Sequence, residues 1–112
     1  MTADPEQVQR VLDLLDTGVV RLDENGCIHF MNSAAEHCLM VSRDRAGGRR
    51  LQEVAHIPDE LANAIDSGSS PGYSTRLHEL KFGRELYDCT IQKNRDQRIL
   101  LEFHNLEWEQ MR

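Results

Sequence analysis

Between residues 18 and 40 the sequence GVVRLDENGCIHFMNSAAEHCLM changes its hydrophobic period from two to helical, and the change falls on Asn32-Ser33. Val19, Val20 and Leu22 read as one strand, and Cys27-Ile28-His29-Phe30-Met31 as the returning strand. Glu24-Asn25-Gly26 between them supplies turn chemistry, with positive φ available at Asn25 or Gly26. Asn32 and Ser33 are both helix-start residues, since either side chain can accept from the orphan N–H groups of the following turn. Ser33 with Glu36 also fits the S-x-x-E capping box. Ala34, Ala35, Cys38 and Leu39 then give a short helix a small apolar face that can approach a sheet closely. A hairpin that hands its chain directly to a capped helix excludes all-helical and all-strand architectures.

Ahead of the hairpin, Asp4-Pro5 reads as an N-cap followed by proline at the first helical position. Val8, Val11, Leu12 and Leu15 recur at helical spacing, so an amphipathic helix within residues 1–17 needs a partner surface for its stripe. Past Val41 the chain is broken by Gly47-Gly48 and Pro58, which permits only short helical turns around Leu51 and Val54. Residues 58–67 carry Leu61, Ala64 and Ile65 at helical spacing and end in the loop Gly68-Ser69-Ser70-Pro71-Gly72. The period then returns to two in residues 73–80, 84–93 and 98–106, with Lys81-Phe82-Gly83 and Asn94-Arg95-Asp96-Gln97 between them. These form an antiparallel meander, and the last, ILLEFHNL, is apolar enough to be central in the sheet. The expectation is α+β: a five-stranded antiparallel sheet with short helices on one face and an amphipathic N-terminal helix. Residues 18–106 form the domain and residues 107–112, helical in propensity, begin a linker.

A chain of 112 residues with 39% apolar residues fits one core. Three widely spaced cysteines, Cys27, Cys38 and Cys89, make neither a disulfide framework nor a zinc site, and a reduced cytoplasmic setting is expected. The net charge of -6 repels phosphate backbones and anionic lipid, so neither nucleic acid nor a membrane is an expected partner. No apolar run approaches a membrane span or a signal peptide. There is no phosphate-binding glycine loop, no HExxH and no nucleophile context, so no enzyme activity is expected of the chain.

The order of elements, together with GVVRLDENGCIHFMNSAAEHCL and the step GGRRLQEV, resembles a PAS domain from Leu12 to Arg112. The chain is most similar to the N-terminal sensory domain of nitrogen-regulation (NtrB-type) two-component histidine kinases. VLDLLDTGVVRLDENG, MNSAAE and the terminal ILLEFHNLEWEQMR carry that likeness. The resemblance implies a PAS fold, a homodimer and a regulatory role. A signal would pass through residues 105–112 into a kinase core absent from this chain, with a PII-type protein and a response regulator as partners of the full-length kinase. The alternative is a PAS small-molecule receptor of another signalling protein.

For such a receptor, Val20, Ile28, Phe30, Leu61, Ile65 and Leu101 are the candidate pocket lining. Val8, Val11, Leu12 and Leu15 are the candidate dimerisation residues, and Asn32, Ser33 and Glu36 the structural caps. His56 lies near where haem-binding members of the family place an axial histidine, but residues to hold the propionates are not evident; no haem is expected. Nor is flavin, because no cysteine has the light-sensing context, and the three thiols read as small core residues. Arg43, Arg45, Arg49 and Arg50 read as a solvated surface, and His29 and His104 as strand histidines on a half-exposed sheet. No metal site is expected.

Overall fold

In the computed structural model, which describes residues 5–67, 72–83 and 85–106, the change of period falls where strand gives way to helix. Helix α1 (Pro5–Asp13) leads into the hairpin β1 (Gly18–Leu22) and β2 (Ile28–Met31), and α2 (Ser33–Leu39) follows at once. Helices α3 (Arg43–Ala46), α4 (Leu51–Val54) and α5 (Asp59–Ser67) precede β3 (Ser74–Phe82), β4 (Glu85–Lys93) and β5 (Ile99–Asn105). The sheet order is β2-β1-β5-β4-β3, antiparallel throughout. Because β2 and β3 lie at opposite edges, the helices α2 to α5 carry the chain from one edge to the other, and their apolar sides share a core with the sheet. The apolar β5 is central, as its composition predicts.

Strict alternation along β1 and β5 aims Val20, Leu22, Ile99, Leu101 and Phe103 into the core, where Val20 pairs with Leu101 and Leu22 with Ile99. Helix α2 approaches β1 through small residues. A Cβ on Gly18 would stand 3.2 Å from the Ala35 Cα and 3.3 Å from the Cys38 Sγ, so this contact leaves no room for a larger residue. The turn expected at Glu24-Asn25-Gly26 is closed by Gly26 at φ +82°, and the Asp23 carboxylate accepts from Asn25 and Cys27 N–H at 2.9 Å each.

Two features differ from expectation. Residues 43–46 form a separate turn of helix, capped by Ser42, whose hydroxyl accepts from the Arg45 N–H. Strand β3 runs through Lys81 and Phe82, because Phe82 pairs with Glu85, and Gly83 stands at φ +61°. The expected N-cap at Asp4 and the expected linker 107–112 lie outside the described residues.

Two β-bulges break the period of two. In the hairpin, Leu22 faces Ile28 and Val20 faces Met31, so one extra residue is accommodated near His29. At the far edge, Leu77 faces Cys89 and Leu80 faces Tyr87, so His78 and Glu79 bulge, with Glu79 at φ +55°. Asp88 secures that second bulge. Its Oδ1 accepts from the Glu79 N–H at 3.0 Å, and its Oδ2 lies 3.2 Å from Arg76 Nη2 and 3.4 Å from His78 Nδ1. The Glu79 hydrogen bond, with the flanking His78 and Arg76, holds the Asp88 carboxyl below the usual carboxylate range.

A depressed carboxylate stabilises the fold above its unfolded pKa and loses that contribution as pH falls through its folded value. Unfolding followed by urea from pH 6 down to pH 2.5 should therefore show a steeper acid loss in the parent than in Asp88→Asn. Asp88→Ala, which removes the acceptor for Glu79, should cost roughly 1 kcal/mol at neutral pH and Asp88→Asn less.

Candidate functional site

Of the six candidate pocket residues, Val20, Ile28, Leu61, Ile65 and Leu101 are buried in the core between sheet and helices. They pack on apolar neighbours; Ile65 alone borders one of the surface cavities described, a polar recess of about 220 Å³ beside Arg50, Asp66 and Lys93. Phe30 does not join them. The bulge near His29 shifts it onto the face shared with Arg21 and Leu100, so Ile28 and Phe30, two residues apart, look to opposite sides of the sheet.

Asn32 is fully buried and uses its whole amide. Oδ1 accepts from the Val19 N–H at 2.8 Å and from the Ala35 N–H at 3.0 Å, while Nδ2 donates to the carbonyls of Leu12 and Thr17, each at 2.9 Å. One side chain thus joins the end of α1, the connection into β1, β1 itself and the first turn of α2. It is also the N-cap of α2.

The Ser33–Glu36 capping box does not form. Ser33 lies inside the helix, and its N–H donates to Asp13 Oδ1 at 2.8 Å. Glu36 turns instead to Arg43, accepting from its backbone N–H at 2.8 Å, from Nη2 at 2.7 Å and from Nε at 3.2 Å. The same guanidinium reaches Asp13 Oδ1 at 3.2 Å and Ser33 Oγ at 3.1 Å. Burial raises the Asp13 pKa, but the hydrogen bonds from Arg43, Gln9 and Ser33 outweigh it and leave it below the usual value. Hydrogen bonding to Arg43 likewise lowers Glu36, and that to Glu36 and Asp13 raises Arg43. Of the four arginines read as surface, Arg43 is thus a clamp on α1, while Arg45, Arg49 and Arg50 are exposed.

Beyond this junction α1 lies over the outer face of the sheet, and Gln9 Nε2 donates to the Met31 carbonyl at 3.2 Å. Val8, Leu12 and Leu15 face Val19, Phe30 and Leu100 across a groove of about 640 Å³. Val11 and Leu14 point away, 61% and 84% exposed. Helical spacing identified Val8, Val11, Leu12 and Leu15 as one stripe; the structure divides them between groove and solvent and adds Leu14 to the outward side.

A second polar junction closes the end of β5. Glu85 Oε2 accepts from the Tyr87 hydroxyl at 2.9 Å and from Asn105 Nδ2, and Thr17 Oγ1 lies 3.4 Å from His104 Nδ1. These groups border a furrow of about 650 Å³ against α2. Burial, with Cys38 and Glu85 alongside, pushes the Tyr87 phenol far up. Burial raises the Cys38 thiol and pushes Cys89 up to about 12, which suits small core residues and not nucleophiles. His56 and His29 are exposed, and among the described residues no three metal-binding side chains converge. Periodicity shows none of Asp88, the Arg43 clamp or the Glu85–Asn105 pair, because each joins residues on different elements.

Asn32→Ala should remove about 2–4 kcal/mol of stability, since the Val19 and Ala35 N–H groups and the Thr17 carbonyl lose this partner and the Leu12 carbonyl keeps only the Leu15 N–H. Asn32→Asp keeps both acceptor bonds but loses both donors, and thermal melting should place it between Asn32→Ala and the parent.

Comparison with known proteins agrees with this architecture. A family model described as the PAS fold matches residues 6–103. Over 59 residues, 53% of this chain, the sequence is 32% identical to the PTS-dependent dihydroxyacetone kinase operon regulatory protein of Escherichia coli (strain K12), of which the chain spans 9%. The photoactive yellow protein domain from the sensor histidine kinase Ppr of Rhodospirillum centenum is similar at a TM-score of 0.69 and 22% identity, over 86% of this chain and 91% of that one. The PAS domain of nitrogen regulation protein NR(II) from Vibrio parahaemolyticus is similar at 0.64 and 19% identity, over 94% and 100%. With strand order, helix placement and family match in agreement, the chain belongs to the PAS family.

Proposed function

We propose that this chain is a sensory and dimerisation domain that passes a conformational bias through the end of β5 to an effector, the effector being the kinase core of a nitrogen-regulation two-component histidine kinase. The observation that carries the reading is the division of α1. Its polar side is clamped to the domain by Asn32, Arg43 and Asp13, while Val11 and Leu14 stand exposed on the other. Such a helix suits burial against a second copy, and the homodimer we propose forms there. Thr17, at the end of the α1 connection, touches His104 near the end of β5, so a change in α1 has a short route to the outgoing chain.

The nitrogen-regulation assignment draws its support from the VLDLLDTGVVRLDENG and MNSAAE phrases and from the likeness in fold to the Vibrio domain. A PII-type protein and a response regulator are then the partners of the whole kinase. The E. coli relative is a regulatory protein of an operon, and it favours a second reading in which the effector is not a kinase.

Sedimentation velocity tests the dimer. The intact chain should sediment as a dimer, and a double variant Val11→Glu, Leu14→Glu, which changes only outward positions, as a folded monomer. Deletion of residues 1–17 should also give monomer but lower the melting temperature, because Asn32 then loses its Leu12 and Thr17 carbonyl partners. A double variant that remains a dimer would exclude α1 as the dimer element.

A further inference from the structure

The groove between α1 and the outer face of the sheet has the attributes of a ligand site, and it lies on the side of the sheet opposite the core. Its volume of about 640 Å³ falls within the usual range for small-molecule sites, roughly 300–1,000 Å³. Its walls are the apolar side chains Val8 and Leu12 from α1, Leu15 just beyond it, and Val19, Phe30 and Leu100 from three strands. The helix is held through Gln9 and its C-terminal residues Leu12 and Asp13 by hydrogen bonds to Met31, Asn32 and Arg43. These fix α1 over the sheet without requiring that the apolar surfaces close on each other.

Three ionisable groups border the groove. Glu102 lies 3.8 Å from His104 along its own strand, through Oε2 and Nε2. His29 is exposed at the edge strand, within the field of Asp23. Arg21 is half-buried on the central part of the face, and its guanidinium makes no hydrogen bond or ion pair among the described residues. A planar cation with five donors left to solvent at the rim of an apolar groove matches one ligand chemistry, a carboxylate on an apolar body, because the guanidinium fork accepts a carboxylate in a two-bond arrangement.

We infer that the α1 groove binds a small amphipathic carboxylate, its apolar body between α1 and the sheet and its carboxylate on Arg21. The inference gives the sensory reading above a ligand class and a site, and in that sense rests on it. An occupant would press on Leu12 and Leu15, which directly follow Val11 and Leu14 of the proposed dimer surface. Ligand and dimer geometry would thereby be linked through the same helix.

Isothermal titration of the full chain with decanoate, decanol and decyltrimethylammonium tests this directly. Decanoate should bind one per chain, at least tenfold more tightly than either of the others. Arg21→Gln should bring decanoate to the level of decanol, with an unchanged melting temperature. Leu100→Trp, which fills the groove, should abolish binding of all three; a circular dichroism melt checks that the variant is folded. Equal affinity for the three probes, or an Arg21→Gln variant that binds decanoate as the parent does, would overturn the inference. So would binding that survives in folded Leu100→Trp, since the probe would then sit elsewhere, or no binding at all. Each of these results leaves the sedimentation test of the dimer untouched, and a monomeric parent that still binds decanoate through Arg21 would fail the dimer reading alone.

Discussion

The carboxamide of Asn32 is the point through which the two ends of this structure are built. A buried amide costs free energy unless each of its polar atoms is satisfied, and here two N–H groups and two carbonyls from four successive stretches of backbone satisfy it. The Leu12 carbonyl also accepts from the Leu15 N–H at 3.2 Å. Without the carboxamide the Thr17 carbonyl and the Val19 N–H would lose this partner, and α2 would lack its cap. Packing of Gly18 against Ala35 and Cys38 depends on the same junction, because it sets how close α2 lies to β1.

From that fixed point the sheet divides the molecule into two chemistries. Toward α2 to α5 it is closed, with side chains of both strands and helices interlocked and the Cys38 and Cys89 thiols raised in pKa by burial. Toward α1 it is half open, with an apolar strip under the helix and a polar remainder made by Asp88, His104, Glu102 and Arg76. The two bulges tune this division. The one near His29 moves Phe30 to the open side, and the one at Glu79 gives Asp88 a backbone donor at the edge strand. Polar ties, not apolar closure, hold α1 to the body.

The elements that local chemistry dictates were legible in the residues. Turn residues at 24–26, the cap at Asn32 and the apolar run of β5 each fix a structure within a few positions, and the hairpin, α2 and the central strand follow. What could not be read locally was set by a partner far along the chain. Nothing near Phe30 announces a bulge, because an extra residue is defined only by the register against β1. Glu36 had a local use as a capping residue, yet Arg43, held also by Asp13 thirty positions back, offers it a stronger charge-assisted bond. Likewise Glu85 and Asn105 meet across twenty residues, and α3 forms because Ser42 caps it where glycines downstream argue for a loop. Val20, Ile28, Leu61, Ile65 and Leu101, read as a pocket lining, share the core, and Phe30 leaves them at the bulge.

The strand order has a consequence for architecture on a larger scale. β1 and β5 are neighbours at the middle of the sheet, and Gly18 at the start of one pairs with Phe103 near the finish of the other. The backbone therefore enters β1 and leaves β5 about one strand spacing apart, roughly 5 Å, at the same end of the sheet. A unit with that property can be spliced into a host polypeptide as a side loop would be, without pushing apart the pieces it joins. Domains whose ends lie close together tolerate insertion into other chains.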